Sequence, residues 1–229
     1  MFRKLAIAAC MLLVSACAST NVKLADMAGP KPPAGSKILI IQPDVQLSML
    51  TAGGLLEPRA DWSQQARDNL AHEISATVDG RSHTITTLDP STVMEGRAGQ
   101  LMRLQEAVDV SILTYGMMGV VLPTKKDKFD WTLGDGTKVL ADTYGADYAL
   151  FTYGRGSYSS GGRKAAWLVG AALGVSIPMG AQQTFASLVD LKTGQVVWFN
   201  MAVPPAGMDM RTAGGAADLT KALLKDVPL

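Results

Sequence analysis

Gln183 to Val203, QTFASLVDLKTGQVVWFNMAV, is the stretch that decides the fold. Two apolar, β-branched and aromatic runs, Gln183–Leu191 and Gln195–Val203, flank Lys192-Thr193-Gly194. A three-residue connection with glycine at the left-handed position is a common hairpin turn, because glycine takes positive φ at no steric cost. The stretch therefore predicts two antiparallel strands.

Working outward, Asp147–Tyr153 (DYALFTY) is a further strand, and His83–Leu88 (HTITTL) alternates polar and apolar as a half-buried strand does. Lys37–Gln42 (KILIIQ) is a continuous apolar run between Gly35 and Pro43, the pattern of a strand covered on both faces. Asp61 is placed to cap a helix, with Gln64 completing an acidic capping box. Trp62, Ala66, Leu70 and Ile74 give that helix one apolar stripe, and Gly80 closes it. A second helix is predicted over Gly96–Tyr115, with Leu101, Leu104, Val108, Ile112 and Tyr115 on its apolar face. A short one runs over Gly136–Tyr144 and ends at Gly145. Thr212–Lys225 makes an amphipathic closing helix. The stretch with Gly53-Gly54 and Pro58 reads as a loop, and Gly116–Lys128 as a loop either extended or irregular. The order predicts one α/β (α+β) domain over 37–229: a mixed β-sheet with helices packed on it. No internal repeat is present.

The amino terminus carries a different message. Arg3 and Lys4 precede the uncharged apolar run Leu5–Val14, which is shorter than the ~20 residues a spanning helix needs and fits a signal peptide over 1–16. Val14-Ser15-Ala16-Cys17 resembles the lipobox of bacterial lipoproteins. The resemblance implies that Cys17 is the lipidation site, receiving a diacylglycerol and a further acyl chain such as palmitate after cleavage before it. More than one chain is what stable attachment takes. With Ala18 and Ser19 in place of an aspartate after the cysteine, the same resemblance implies sorting to the outer membrane, facing the periplasm. Residues 17–36, with Gly29-Pro30-Lys31-Pro32-Pro33, read as the lipidated cysteine and a Pro-rich, extended tether.

Composition narrows the function. Loss of Arg3 and Lys4 leaves 21 less 2 basic residues against 20 acidic ones, so nothing favours nucleic acid. Cys10 leaves with the signal and Cys17 is acylated, so no disulfide is expected and the fold rests on its core, for which 48% apolar residues suffice.

An insert at about 154–182, GRGSYSSGGRKAAWLVGAALGVSIPMGAQ, separates the central strand from the hairpin. Ala165–Ala181 holds no charge, yet Gly170, Gly174 and Pro178 argue against one long helix. It reads either as a buried Ala/Gly-rich helix packed on the sheet or as an apolar element contacting a membrane or a partner chain. In the second reading Trp167, Leu168, Val169, Leu173, Val175, Ile177 and Met179 are the interaction surface. The Gly-Ala-Asp before the strand and Leu188-Val189-Asp190-Leu191-Lys192-Thr193-Gly194-Gln195-Val196-Val197-Trp198 resemble the periplasmic lipoproteins related to the curli secretion channel (CsgG-like) and the amino-terminal domain of TolB. In the curli channel the insert supplies pore strands, which alternate apolar and polar; Trp167-Leu168-Val169 does not.

Catalytic signatures are missing. His72-Glu73-Ile74-Ser75-Ala76 starts like a zinc motif but has Ala76 where the second histidine is required. Asp127, Asp130 and Asp135 lack calcium-loop spacing. Gly154-Arg155-Gly156 and Gly161-Gly162-Arg163 follow a strand, but neither phosphate-loop spacing is met. No GxSxG elbow and no free thiol is available. The expectation is a non-enzymatic lipoprotein without cofactor or metal site, an interaction or assembly module in envelope biogenesis or secretion, with a protein partner or self-association. The alternatives are a subunit of an oligomeric CsgG-like channel and an envelope hydrolase using carboxylates.

Overall fold

A computed structural model describes residues 19–24, 32–79, 81, 83–125, 128–205 and 207–229. The signal peptide and Cys17 lie outside the described residues. Eight strands form one mixed sheet: β1 (Ser19–Leu24), β2 (Lys37–Ile41), β3 (Asp44–Leu50), β4 (Leu56–Pro58), β5 (Thr84–Leu88), β6 (Tyr148–Ser159), β7 (Gln182–Asp190) and β8 (Val196–Val203). The order is β1-β8-β7-β6-β2-β5, with β3 continuing beyond β2 along β6 and β4 paired outside β3. Strands β2 and β3 run parallel to β6, and β5 parallel to β2; β4 is antiparallel to β3, and along β6, β7, β8 and β1 each strand is antiparallel to the next. The helices are α1 (Ala60–Asp79), α2 (Arg97–Ser111, continued by a π-turn over Ile112–Met117), α3 (Lys138–Tyr144), α4 (Gly161–Ala172) and α5 (Ala213–Leu223).

One irregularity sets the phase of the core. Ile40 sits opposite Leu150 and Asp44 opposite Tyr153, so the β2–β3 side carries one residue more than β6 across Pro43. An extra residue inverts which parity faces which side. Ile38 and Ile40 before it, and Val45 and Leu47 after it, consequently pack in the same cluster, under α1 and α5 with Leu150, Leu188 and Trp198. The opposite face carries Leu39, Phe151, Phe185, Val189 and Phe199 beneath α2 and α3. The mixed sheet between two helical layers is the α/β class the sequence predicts.

The hairpin is as predicted, with Gly194 at φ +75°. Four local expectations are corrected. Ser19–Leu24, read as tether, is an edge strand paired with β8, covering main-chain groups that β8 would otherwise leave open. Residues 44–50 and 56–58, read as loop, are strands. Gly154–Ser159, the polar start of the insert, prolongs β6, because β3 and β7 flank it on both sides. Helix α1 begins at Ala60, so Asp61 is not its cap. It accepts from Arg59 Nε at 2.8 Å, while the Ser63 hydroxyl accepts from Leu47 N–H at 2.9 Å and ties α1 to β3.

Candidate interaction surface

Strand β6 stays under α1 as far as Tyr158, whose ring meets Trp62 edge-on at 6.0 Å, and helix α4 begins just after the strand stops at Ser159. Ser159 is opposite Leu50, the last residue of β3. The Ser160 hydroxyl then accepts from Arg163 N–H at 3.1 Å and caps α4. Helix α4 ends at Leu173 and Gly174, the latter at φ +73°, and residues 175–181 return across it. Gly170 makes the return possible: a Cβ there would stand 2.9 Å from Ile177 Cδ1, and Val175 N–H donates to the Gly170 carbonyl at 2.7 Å. The Arg163 guanidinium donates to the Pro178 carbonyl from Nε (3.0 Å) and Nη2 (2.8 Å), and to the Ala52 carbonyl from Nη1 (3.3 Å). One side chain thus braces helix, return segment and the β3–β4 turn.

The insert's apolar side chains point away from the protein. Trp167, Leu168, Val169, Leu173, Val175 and Met179 are exposed, Leu173 at 74%, and Ile177 is half-buried over Gly170. Within α4 only Gly170 is buried. A core helix packed on the sheet is therefore not what forms, since both sheet faces are already taken by α1, α5, α2 and α3. Beside the insert, Leu55 of the β3–β4 connection and Leu56 at the start of β4 are also exposed, at 71% and 62%. Sequence reading missed them; the signal available was an apolar doublet directly after Gly53-Gly54.

A second feature lies at the carboxyl ends of β2 and β5, where ligands often bind in such sheets. A crevice of about 380 Å³ is lined by Ile41, Met94, Met102, Phe151 and Tyr153, with Asp44, Arg103 and Glu106 at its rim. Arg155, from the Gly154-Arg155-Gly156 run inside β6, sends Nη2 to Asp44 Oδ2 and Glu106 Oε1, each at 2.6 Å, and Nη1 to the Asp44 carbonyl at 2.8 Å. An acid–base carboxylate pair needs one group to hold a proton while the other does not. One guanidinium instead engages both, fastening α2 and β3 to β6.

Behind the crevice, α2 carries an unforeseen polar cluster. Gln105 and Asp109 are fully buried, whereas Leu104 and Tyr115 of the predicted apolar face are exposed. Gln105 Nε2 donates to Asp109 Oδ1 (2.7 Å) and to Ser187 Oγ (2.7 Å), and Ser187 Oγ donates to Asp109 Oδ2 (3.2 Å). Burial pushes the Asp109 carboxyl well above the usual carboxylate range, and nearby Glu106 adds to this. Burial likewise raises the Tyr153 hydroxyl, which donates to the Met102 carbonyl at 2.9 Å. Within the cluster Gln105 Oε1 alone is left without a hydrogen-bond partner among the described residues.

The remaining chemistry-bearing residues stay apart. His72 is exposed on α1 beside Glu73, and His83 precedes β5. Asp130 and Asp135 pair with Lys125 and Lys138, while Asp127 lies outside the described residues. Gly161-Gly162-Arg163 opens α4. Among the described residues no group of three His, Cys, Asp or Glu side chains could hold a metal.

No protein-family pattern matches the chain, and no curated protein matches it. Among solved structures it is similar to the PelC dodecamer from Paraburkholderia phytofirmans: 12% identity, 93% of this chain and 96% of that one, TM-score 0.41. A point variant of the same dodecamer gives 14%, 93%, 98% and 0.40. The LpoB C-terminal domain from Salmonella enterica gives 15%, 78%, 86% and 0.28. Superpositions this loose carry no function across.

Proposed function

We propose that this chain is a non-enzymatic outer-membrane lipoprotein facing the periplasm, held by acyl chains on Cys17. Its α/β domain acts as an interaction module in envelope assembly or secretion, and the insert is its contact element. The observation that carries this reading is the insert's construction. It is braced internally by Arg163 and Gly170, yet turns Trp167, Leu168, Val169, Leu173 and Val175 to solvent. Exposed contiguous apolar surface of this kind marks interaction sites in stable proteins.

A channel subunit of the curli type would need membrane strands in the insert. Residues 161–172 are instead helical, about 18 Å long, against a hydrocarbon core of about 30 Å. No described helix is long and apolar enough to cross a membrane. The carboxylates at the crevice, Asp44 and Glu106, are both engaged by Arg155, which gives the hydrolase reading no free pair there.

The test is site-specific photo-crosslinking in intact cells, with the probe at Leu168 or, as a control, at Lys192 in the hairpin turn. Adducts with envelope components should concentrate at Leu168. Equal labelling at the two positions, or none at Leu168, would refute the insert as contact element.

A further inference from the structure

We infer that the apolar surface of the insert rests on the lipid leaflet that carries the Cys17 acyl chains; the inference depends on the lipoprotein reading and names the partner of its contact element. The sheet register supplies the argument. Ser19 is opposite Val203 and Thr20 opposite Ala202; Ala202 is opposite Thr184; Gly156 is opposite Gln182; Ser159 is opposite Leu50. The start of β1, the end of β8, the start of β7 and the ends of β6 and β3 therefore share one end of the sheet. That is the end from which the insert departs.

Cys17 stands two residues before Ser19. At no more than about 3.3–3.6 Å per residue, its sulfur chemistry is held within roughly 7 Å of this end along the chain. The Pro-rich segment then links β1 to β2 and does not lengthen the anchor. The hairpin turn at Lys192-Thr193-Gly194 is about 30 Å farther along the nine residues of β7. An acyl anchor so short brings the insert end, and not the hairpin turn, against the bilayer.

The chemistry of that end suits a leaflet. No acidic residue occurs between Asp147 and Asp190, while Arg163 and Lys164 flank the apolar run. Among the described residues neither has a carboxylate partner within salt-bridge distance. Trp167, Leu168, Val169, Leu173 and Val175 are exposed on the insert, Leu55 and Leu56 are exposed beside the turn that Arg163 ties to it, and Glu57 next to them lies near Arg59. Tryptophan favours the headgroup level, and a basic, apolar helix too short to span lies in the interface plane. The acyl chains and the insert together form a two-point attachment that fixes the domain's orientation.

The experiment uses the full chain purified in detergent and reconstituted into phosphatidylethanolamine–phosphatidylglycerol vesicles containing a nitroxide-labelled lipid. Intact mass reports acylation of Cys17; tryptophan fluorescence reports leaflet contact. The acylated wild type should be quenched, Trp167→Phe should lose most of that quenching, and Leu168→Asp with Leu173→Asp should weaken it while the circular dichroism spectrum is kept. Acylated protein with Trp167 unquenched overturns the leaflet contact and leaves a protein partner for the insert. Quenched Trp167 on a chain without acyl groups supports the contact and refutes the anchor. Absence of both refutes both.

Discussion

The two ends of the central sheet are built from the same strands and finished in opposite ways. At the hairpin end, the Asp190 carboxylate accepts from Lys192 and Thr193 N–H, Leu191 N–H donates to the Asp147 carbonyl, and Lys37 N–H donates to the Asp147 carboxylate. Gly194 there packs against the backbone of Gly134. Polar groups are consumed locally and apolar ones are tucked under α3. At the other end, β6 and β7 are joined by a braced but outward-facing apolar element. The difference teaches where selection for folding stops: the hairpin end closes the structure, whereas the insert end leaves unburied the kind of surface folding normally hides.

Substitutions can break this contrast or sharpen it. The largest effect is expected in the core both ends share. Trp198 is fully buried under α1 and α5, and Trp198→Ala should cost about 3–5 kcal/mol in urea unfolding, loosening both ends alike. Next come two glycines with nearly the same positive φ. Gly194→Ala, forced against the Gly134 backbone, should cost about 2–3 kcal/mol. Gly174→Ala, with no atom within 4 Å of its Cβ position, should cost about 1 kcal/mol. Equal losses would mean that the insert is packed as tightly as the hairpin turn.

A subtler effect concerns pH. With the Asp109 carboxyl raised by burial, the folded chain keeps a proton that the unfolded chain releases in the usual carboxylate range. Stability therefore falls as pH climbs from that range to the raised folded value, and is level above it. Asp109→Asn stays neutral and should abolish this fall, so its urea midpoint gains on the wild type as pH rises. A constant difference across pH would contradict the assignment. The smallest effect belongs to the insert: Leu168→Ser should move stability by no more than about 0.5 kcal/mol.

What was legible in the sequence follows from how local each signal is. The β7–β8 hairpin, β2, β5 and the apolar stripe of α1 rest on alternation, apolar runs and turn chemistry inside short windows. Strand β3 was obscured because Pro43 and Gly53-Gly54 punctuate a stretch whose Val45-Gln46-Leu47-Ser48-Met49 alternation was there to be read. The second half of β6 has glycine and serine, poor strand formers, and is a strand only because β3 and β7 grip it from both sides. Gln105 and Asp109 occupy core positions of α2 where Ser187, far away in sequence, accepts from Gln105 Nε2 and donates to Asp109. As for the candidate surface, its residues were readable from composition. Their exposure was not, because it depends on both sheet faces being taken by other helices, and the neighbouring Leu55-Leu56 joins them only through Arg163.

The most direct test of the central claim, that the insert end is a contact surface and no part of the core, is thermal unfolding of the chain lacking Trp167–Met179. The deletion should leave one cooperative transition, shifted by no more than about 2–4 °C, the equivalent of ~1 kcal/mol in a chain of this size. A deletion variant that is unfolded, or melts without cooperativity, would show the insert to be core and contradict the account.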